Sequence, residues 1–213
     1  MSTSIIAGST GLVGSNILRH LSNNNHRTIA LARQPISPLP SNAEELIVDF
    51  DSLLSGGSLP KCDHVFICLG TTIKIAKSKD NFKRVDLEYP LDVAKKAHES
   101  GAKKLTLISS VGADSNSKNF YLSVKGELED AILELGFDSV NIFRPSFLIG
   151  RGGRHRSTSE KILMKVAKII DVFCVSSARK YRSIDAQVLA KKMASTLDAE
   201  SGIHYYYFDD FIN

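Results

Sequence analysis

Tyr121 and Lys125 stand four residues apart in the run Tyr121-Leu122-Ser123-Val124-Lys125, a short polar loop downstream of Ser109-Ser110. On a helix that spacing puts both side chains on one face, where a phenol and an ammonium reach a common point. A tyrosine hydroxyl gives or takes the proton of a carbonyl or alcohol, and a nearby ammonium lowers the phenol pKa from about 10 and holds a ribose. A serine hydroxyl orients the reacting oxygen. Together these are the parts of a hydride-transfer site, with Tyr121 as general acid, Lys125 tuning it and Ser110 holding the oxygen. Such a pair is common on ordinary helix faces, so its weight comes from the elements around it.

The first of those elements is Ile5 to Leu18. A short apolar run, glycines at 8, 11 and 14, and apolar positions at helical spacing predict strand, tight turn and helix, the arrangement that holds a dinucleotide. Gly8 allows the turn, Gly11 lets backbone amides approach a pyrophosphate, and Gly14 lets the helix pack close to the strand. Further strands are predicted at Arg27 to Ala32, Glu45 to Phe50, His64 to Leu69, Lys104 to Ile108 and Ser139 to Phe143, with a last strand-like run from Ile203 to Phe208. Helices are expected over Lys83 to Ser100, Tyr121 to Leu135, Lys161 to Val175 and Asp185 to Leu197. The alternation predicts an α/β fold with a doubly wound parallel sheet of the Rossmann type. One domain is expected over 1–213, with a cofactor core to about residue 150 and a small substrate-side elaboration after it.

Several residues at strand ends take roles from that architecture. Arg33 follows the second strand, where an acid would bind a ribose 2′-hydroxyl and a basic residue accommodates a 2′-phosphate, so it favours NADP(H). Asp49 is either an acceptor for the adenine amino group or a surface acid. Gly70-Thr71-Thr72 supplies small residues where ligands bind, and Arg144-Pro145 turns the next loop toward the nicotinamide. The run Arg151-Gly152-Gly153-Arg154-His155-Arg156 reads as a polar loop that a phosphate would order.

Composition narrows the class. The chain has 213 residues, 43% of them hydrophobic, and a net charge of +4, values typical of a folded domain rather than a disordered chain. The basic residues at Lys74, Lys77, Lys79, Lys83 and Arg84 have no aromatic interleaving, so a solvated face is expected there and no nucleic-acid surface. Cys62, Cys68 and Cys174 have no metal spacing, and a reduced compartment fits them. No apolar run is long enough to span a bilayer and the start carries no leader pattern, so a cytosolic protein is expected.

These residues resemble the short-chain dehydrogenase/reductase superfamily, and within it the atypical branch of Tat-interacting-protein-type NADPH-binding proteins. The motifs are Gly8 to Gly14, Ala32-Arg33, Cys68-Leu69-Gly70-Thr71-Thr72, Arg84-Val85-Asp86, Ser109-Ser110 with Gly112-Ala113-Asp114, Tyr121 through Lys125-Gly126-Glu127, and Phe143-Arg144-Pro145. The resemblance implies NADP(H) held by Gly8, Ser9, Thr10, Gly11, Leu12 and Val13 at its phosphates, by Arg33 and Gln34 at the 2′-phosphate, and by Leu69 and Gly70 along the adenosine side. It also implies Tyr121 and Lys125 at the nicotinamide ribose, Leu148 closing over it and Arg156 on a phosphate. Two departures from simpler reductases stand out: Cys68-Leu69-Gly70-Thr71 replaces the Asn-Asn-Ala-Gly run after strand four, and Asp86 stands near the helical asparagine of their proton relay. Two functions follow as expectations. One is an NADPH-dependent oxidoreductase acting on a small carbonyl or alcohol; the other is an NADPH-responsive protein that binds a protein partner with little turnover.

Overall fold

The computed structural model describes residues 2–24, 26–150 and 176–212. Its frame is a seven-stranded sheet in the order β3-β2-β1-β4-β5-β6-β9, with every pairing parallel. The strands are β1 (Thr3–Ala7), β2 (Arg27–Ala32), β3 (Ala43–Ile47), β4 (His64–Ile67), β5 (Lys104–Ile108), β6 (Ser139–Phe143) and β9 (Gly202–Tyr206). Strand order reverses between β1 and β4, which pair through Ile5 and Val65. In open α/β sheets that reversal leaves a crevice at the carboxyl ends of the strands.

Alternate side chains leave opposite faces of each strand, and both faces are apolar because helices cover both. On one face Ile5, Val65, Leu105 and Val140 pack with Val93, Ala94 and Ala97 of α5 (Tyr89–Glu99) and with Leu128 and Ile132 of α6 (Phe120–Leu133). On the other, Ile6, Phe66 and Phe143 meet Ile17, Leu18 and Leu21 of α1 (Gly14–Asn23) and Leu189, Ala190 and Met193 of α7 (Ala186–Ala194). Burying each large side chain of this kind stabilises the fold by roughly 1.5–3 kcal/mol. A short parallel ribbon of β7 (Leu148–Ile149) and β8 (Ile184–Asp185) lies outside the main sheet.

Four expectations need correction. The third strand is Ala43–Ile47 rather than Glu45 to Phe50, because Asp49 caps a short helix, α2 (Phe50–Leu54), that Phe50 opens. Strand four stops at Ile67, where the backbone of Cys68 and Leu69 crowds against Gly8. The helix expected over Lys83 to Ser100 begins earlier, at α4 (Lys79–Lys83) capped by Ser78, and passes through a π turn (Arg84–Glu88) into α5. The helix expected over Asp185 to Leu197 is α7 followed by a 3-10 turn (Ser195–Asp198). The helix expected over Lys161 to Val175 lies outside the described residues.

Candidate functional site

Gly8 and Gly14 stand after β1 because nothing larger fits there. Gly8 has φ +85°, and a β-carbon on it would lie 2.5 Å from the Cys68 carbonyl oxygen; one on Gly14 would lie 2.2 Å from the Gly8 oxygen. The turn is drawn together by the Gly11 amide donating to the Gly8 carbonyl at 2.9 Å, and pinned to β2 by the buried Ser9 hydroxyl donating to the Leu31 carbonyl at 2.8 Å. From Ser9, then, only the backbone remains to meet a ligand. Thr10 and Gly11 are exposed at the tip.

Helix α1 differs from its neighbours at its first turn. Thr72, Ser78, Asn119 and Asp185 each cap a helix with a side-chain oxygen, whereas Val13 precedes α1 with no side chain able to accept. Among the described residues the amides of Leu12 and Val13 make no backbone hydrogen bond. An uncapped helix start behind a glycine turn is built to take an anion, so these residues fit the phosphates of a dinucleotide. Arg33 and Gln34 are exposed just beyond β2, and Arg33 joins no ion pair among the described residues.

Helix α6 carries the expected catalytic face. Asn119 caps it by accepting from the Tyr121 and Leu122 amides, and Gly126 lets it approach the Asp114–Ser115 backbone, which a β-carbon would meet at 2.1 Å. The half-buried Tyr121 ring lies 5.8 Å from Phe82, and its hydroxyl has no protein partner among the described residues. The Lys125 ammonium is 2.7 Å from Asp86 Oδ1, with the two side chains 5% and 1% exposed. Asp86 Oδ2 accepts the Thr71 amide at 2.8 Å. Gly70, expected along the adenosine side, sits beside this pair: a β-carbon there would be 3.4 Å from Asp86 Oδ1 and 3.9 Å from Lys125 Nζ.

The two serines ending β5 divide. Ser109 is buried and donates to Glu129, which also receives the Arg144 guanidinium, while among the described residues the hydroxyl of the half-buried Ser110 makes only a 3.5 Å contact with the Val111 carbonyl. Arg144 was expected to steer a loop; its guanidinium is held by Glu129 and by the Tyr207 hydroxyl at 3.0 Å. Burial opposes its charge, but these partners more than offset that and hold its pKa above the ordinary range. Asp49, read as an adenine acceptor or a surface acid, has its carboxylate turned to the Asp51 amide and the Ser52 hydroxyl. Leu148 lies on the β7–β8 ribbon, packed against the cluster around Val13, and the ribbon meets the glycine turn where Gly150 approaches Leu12. Burial pushes the Cys68 thiol well above its usual range, which favours the protonated thiol over the thiolate. Among the described residues no group of His, Cys, Asp and Glu could hold a metal. Arg156 lies outside the described residues.

Asp86 as the partner of Lys125 is what sequence reasoning missed. Its signal was an acid in the apolar setting of Val85 and Leu87, but nothing local says that a residue 39 positions later would answer it.

Residues 4–123 match the NAD dependent epimerase/dehydratase family. The chain belongs to this family. Protein FMP52, mitochondrial, of Meyerozyma guilliermondii is 35% identical over 170 residues, 78% of this chain and 73% of that protein. Protein HTATIP2 of Rattus norvegicus is 35% identical over 150 residues, 68% of this chain and 62% of its own length. Within the family the chain is thus of the atypical, Tat-interacting-protein type. The human epimerase family protein SDR39U1, solved with NADPH, shares the fold at a TM-score of 0.66 over 96% of this chain and 74% of its own, with 17% identity. The cytosolic expectation is overturned, since the fungal relatives are named mitochondrial. Among the described residues no helix is long and apolar enough to cross a membrane.

Proposed function

We propose that the protein is an NADP(H)-dependent oxidoreductase that passes hydride between nicotinamide and a small carbonyl or alcohol carbon. The observation that carries this reading is a chain of close contacts across the carboxyl ends of the strands. Gly8 of the anion-binding turn abuts Cys68, and two residues further on Gly70 abuts the Lys125 ammonium. The loop of residues 68–70 thus runs from the turn read as phosphate-binding to the lysine read as proton-handling, which supports one shared crevice.

In this reading Gly8 to Val13 hold the pyrophosphate with backbone amides, and Arg33 and Gln34 take the 2′-phosphate. Leu69, Gly70 and Leu148 line the cofactor. Bound nicotinamide supplies or accepts the hydride. In the reducing direction Tyr121 donates its hydroxyl proton to the carbonyl oxygen as the carbon is reduced, giving the alcohol. Ser110 holds that oxygen, and Lys125 stabilises the phenolate left behind. NADP(H) is supported by Arg33 and by the shared fold of a human relative solved with NADPH.

Calorimetry with NADPH and NADH, followed by an NADPH-oxidation screen over aldehydes, ketones and quinones, tests the proposal. Tight NADPH binding with turnover that Tyr121→Phe abolishes is the expected result. Turnover at the wild-type rate in Tyr121→Phe would remove the tyrosine from the chemistry. Tight binding with no turnover across the panel would instead favour an NADPH-responsive protein that binds a partner.

A further inference from the structure

A carboxylate as buried as Asp86 has to be satisfied by its surroundings. It is satisfied from two directions, by the Lys125 ammonium on α6 and by the Thr71 amide in the loop after β4. Asp86 itself comes from a third element, the π turn that joins α4 to α5, and is buried there. Wide turns of this kind inside helices mark functional positions more often than ordinary ones. Gly70 adds a second observation, because it is exposed and lies beside the ion pair with no side chain of its own between the pair and the crevice.

We infer that Asp86 is the positioning residue for Lys125, a role that rests on the cofactor reading above. A lysine ammonium is a point charge on a flexible four-carbon stem with three donors. Asp86 Oδ1 takes one donor and fixes the stem, which leaves two donors for the nicotinamide ribose and the catalytic tyrosine. Asp86 Oδ2 holds Thr71 at the same time, so Gly70 stays seated over the ammonium. The carboxylate thus couples the lysine to the loop after β4, and it acts on the cofactor only through the lysine.

A double-mutant cycle tests this. Wild type, Asp86→Asn, Lys125→Met and the double variant are titrated with NADPH by calorimetry, with nicotinamide fluorescence recorded at saturation and thermal midpoints reporting the fold. Asp86→Asn keeps an acceptor for Thr71 and removes the charge. Each single variant is expected to raise the NADPH Kd at least fivefold, and the double variant to match Lys125→Met within twofold, since residues acting as a unit are not additive. The fluorescence gain of bound nicotinamide should fall by at least half in Asp86→Asn, a change that a purely structural loss would not produce in protein that is folded and saturated. If the unpaired ammonium prevents Asp86→Asn from folding, the double variant has no such charge, and its Kd against that of Lys125→Met alone decides: equality supports the role and a further fivefold loss overturns it. Single losses that multiply overturn it, as does Asp86→Asn with wild-type affinity and fluorescence. Wild type that binds neither NADPH nor NADH overturns the cofactor reading and this role with it; wild type that binds, with an additive cycle, overturns only the role of Asp86.

Discussion

Helix α6 buries two charged side chains one turn apart, Lys125 and Glu129, and the fold completes one of them and leaves the other open. Glu129 receives the Arg144 guanidinium and the Ser109 hydroxyl, and Arg144 goes on to Tyr207 and lies 4.7 Å from the Tyr205 ring centre. That cluster ties α6 to β5, β6 and the residues after β9. Among the described residues Lys125 has one side-chain partner, Asp86, and it lies beside a glycine. An ion pair in which every guanidinium nitrogen has a partner is a structural joint, whereas one with donors in hand at a crevice suits a ligand. The same distinction separates Ser109 from Ser110 and the capped helices from α1.

The contrast is most directly broken at Glu129. Glu129→Ala leaves Arg144 and Ser109 without their acceptor and should cost about 3–5 kcal/mol, the usual consequence of removing one half of a buried pair. Urea unfolding measures it, and NADPH affinity of the folded variant should change less than threefold. Replacing both partners, Glu129→Leu with Arg144→Met, should recover much of the loss because no buried charge is then unpaired. A single variant that loses under 1 kcal/mol would mean that this cluster is no joint.

A neutral buried group at the opposite end of the sheet sharpens the same point. His64 is 2% exposed; its Nε2 meets Thr106 Oγ1 at 2.8 Å, Thr106 meets Thr196 at 2.6 Å, and His64 Nδ1 has no partner among the described residues. Burial, helped by Lys104 and by His26, lowers the His64 pKa to about 3. Unfolded histidine takes a proton near pH 6.5 while the folded one does not, so stability is full above pH 6.5 and is lost as pH falls toward 3. By pH 5 the loss from this residue is about 2 kcal/mol. Urea unfolding at pH 7.5 and pH 5 should show it, and His64→Gln should flatten the difference. An unchanged pH dependence in that variant would assign the acid sensitivity elsewhere.

Much of this arrangement was legible in the residues. Strands β2, β5 and β6 lie where they were expected, because each is an apolar run between clear turn residues. The glycine turn was legible because Gly8, Gly11 and Gly14 each answer a backbone contact. Strand β3 was misplaced because, at the sheet edge, Glu44 and Glu45 are exposed and carry no core pattern. The π turn was invisible because one added residue per turn leaves no trace in composition. Asp86–Lys125 and Glu129–Arg144 were unreadable for another reason: opposite charges pair through the tertiary fold, and a sequence supplies many equivalent partners.

Arg33 offers a smaller effect on the open side of the contrast. Arg33→Ala should weaken NADPH by about 1.5–3 kcal/mol through loss of a charge-assisted contact and leave NADH nearly unchanged. Calorimetry with both nucleotides decides it, and equal losses would refute the 2′-phosphate assignment.

The smallest expected effect is at Asp49, where the two uses of a carboxylate can be separated cleanly. Its Oδ1 accepts the Asp51 amide at 3.0 Å and its Oδ2 the Ser52 hydroxyl at 3.3 Å, the pattern of a helix cap at the start of α2. Loss of such a cap costs about 1 kcal/mol. Asp49→Ala should therefore lower stability by that amount in urea unfolding, Asp49→Ser should restore most of it, and neither should move the NADPH Kd by more than twofold. An adenine acceptor predicts the reverse, a weaker Kd for both dinucleotides with stability intact. Because Asp49 lies just beyond the edge strand that follows β2, that reverse result would add it to the open groups of the crevice and redraw the line between joint and site.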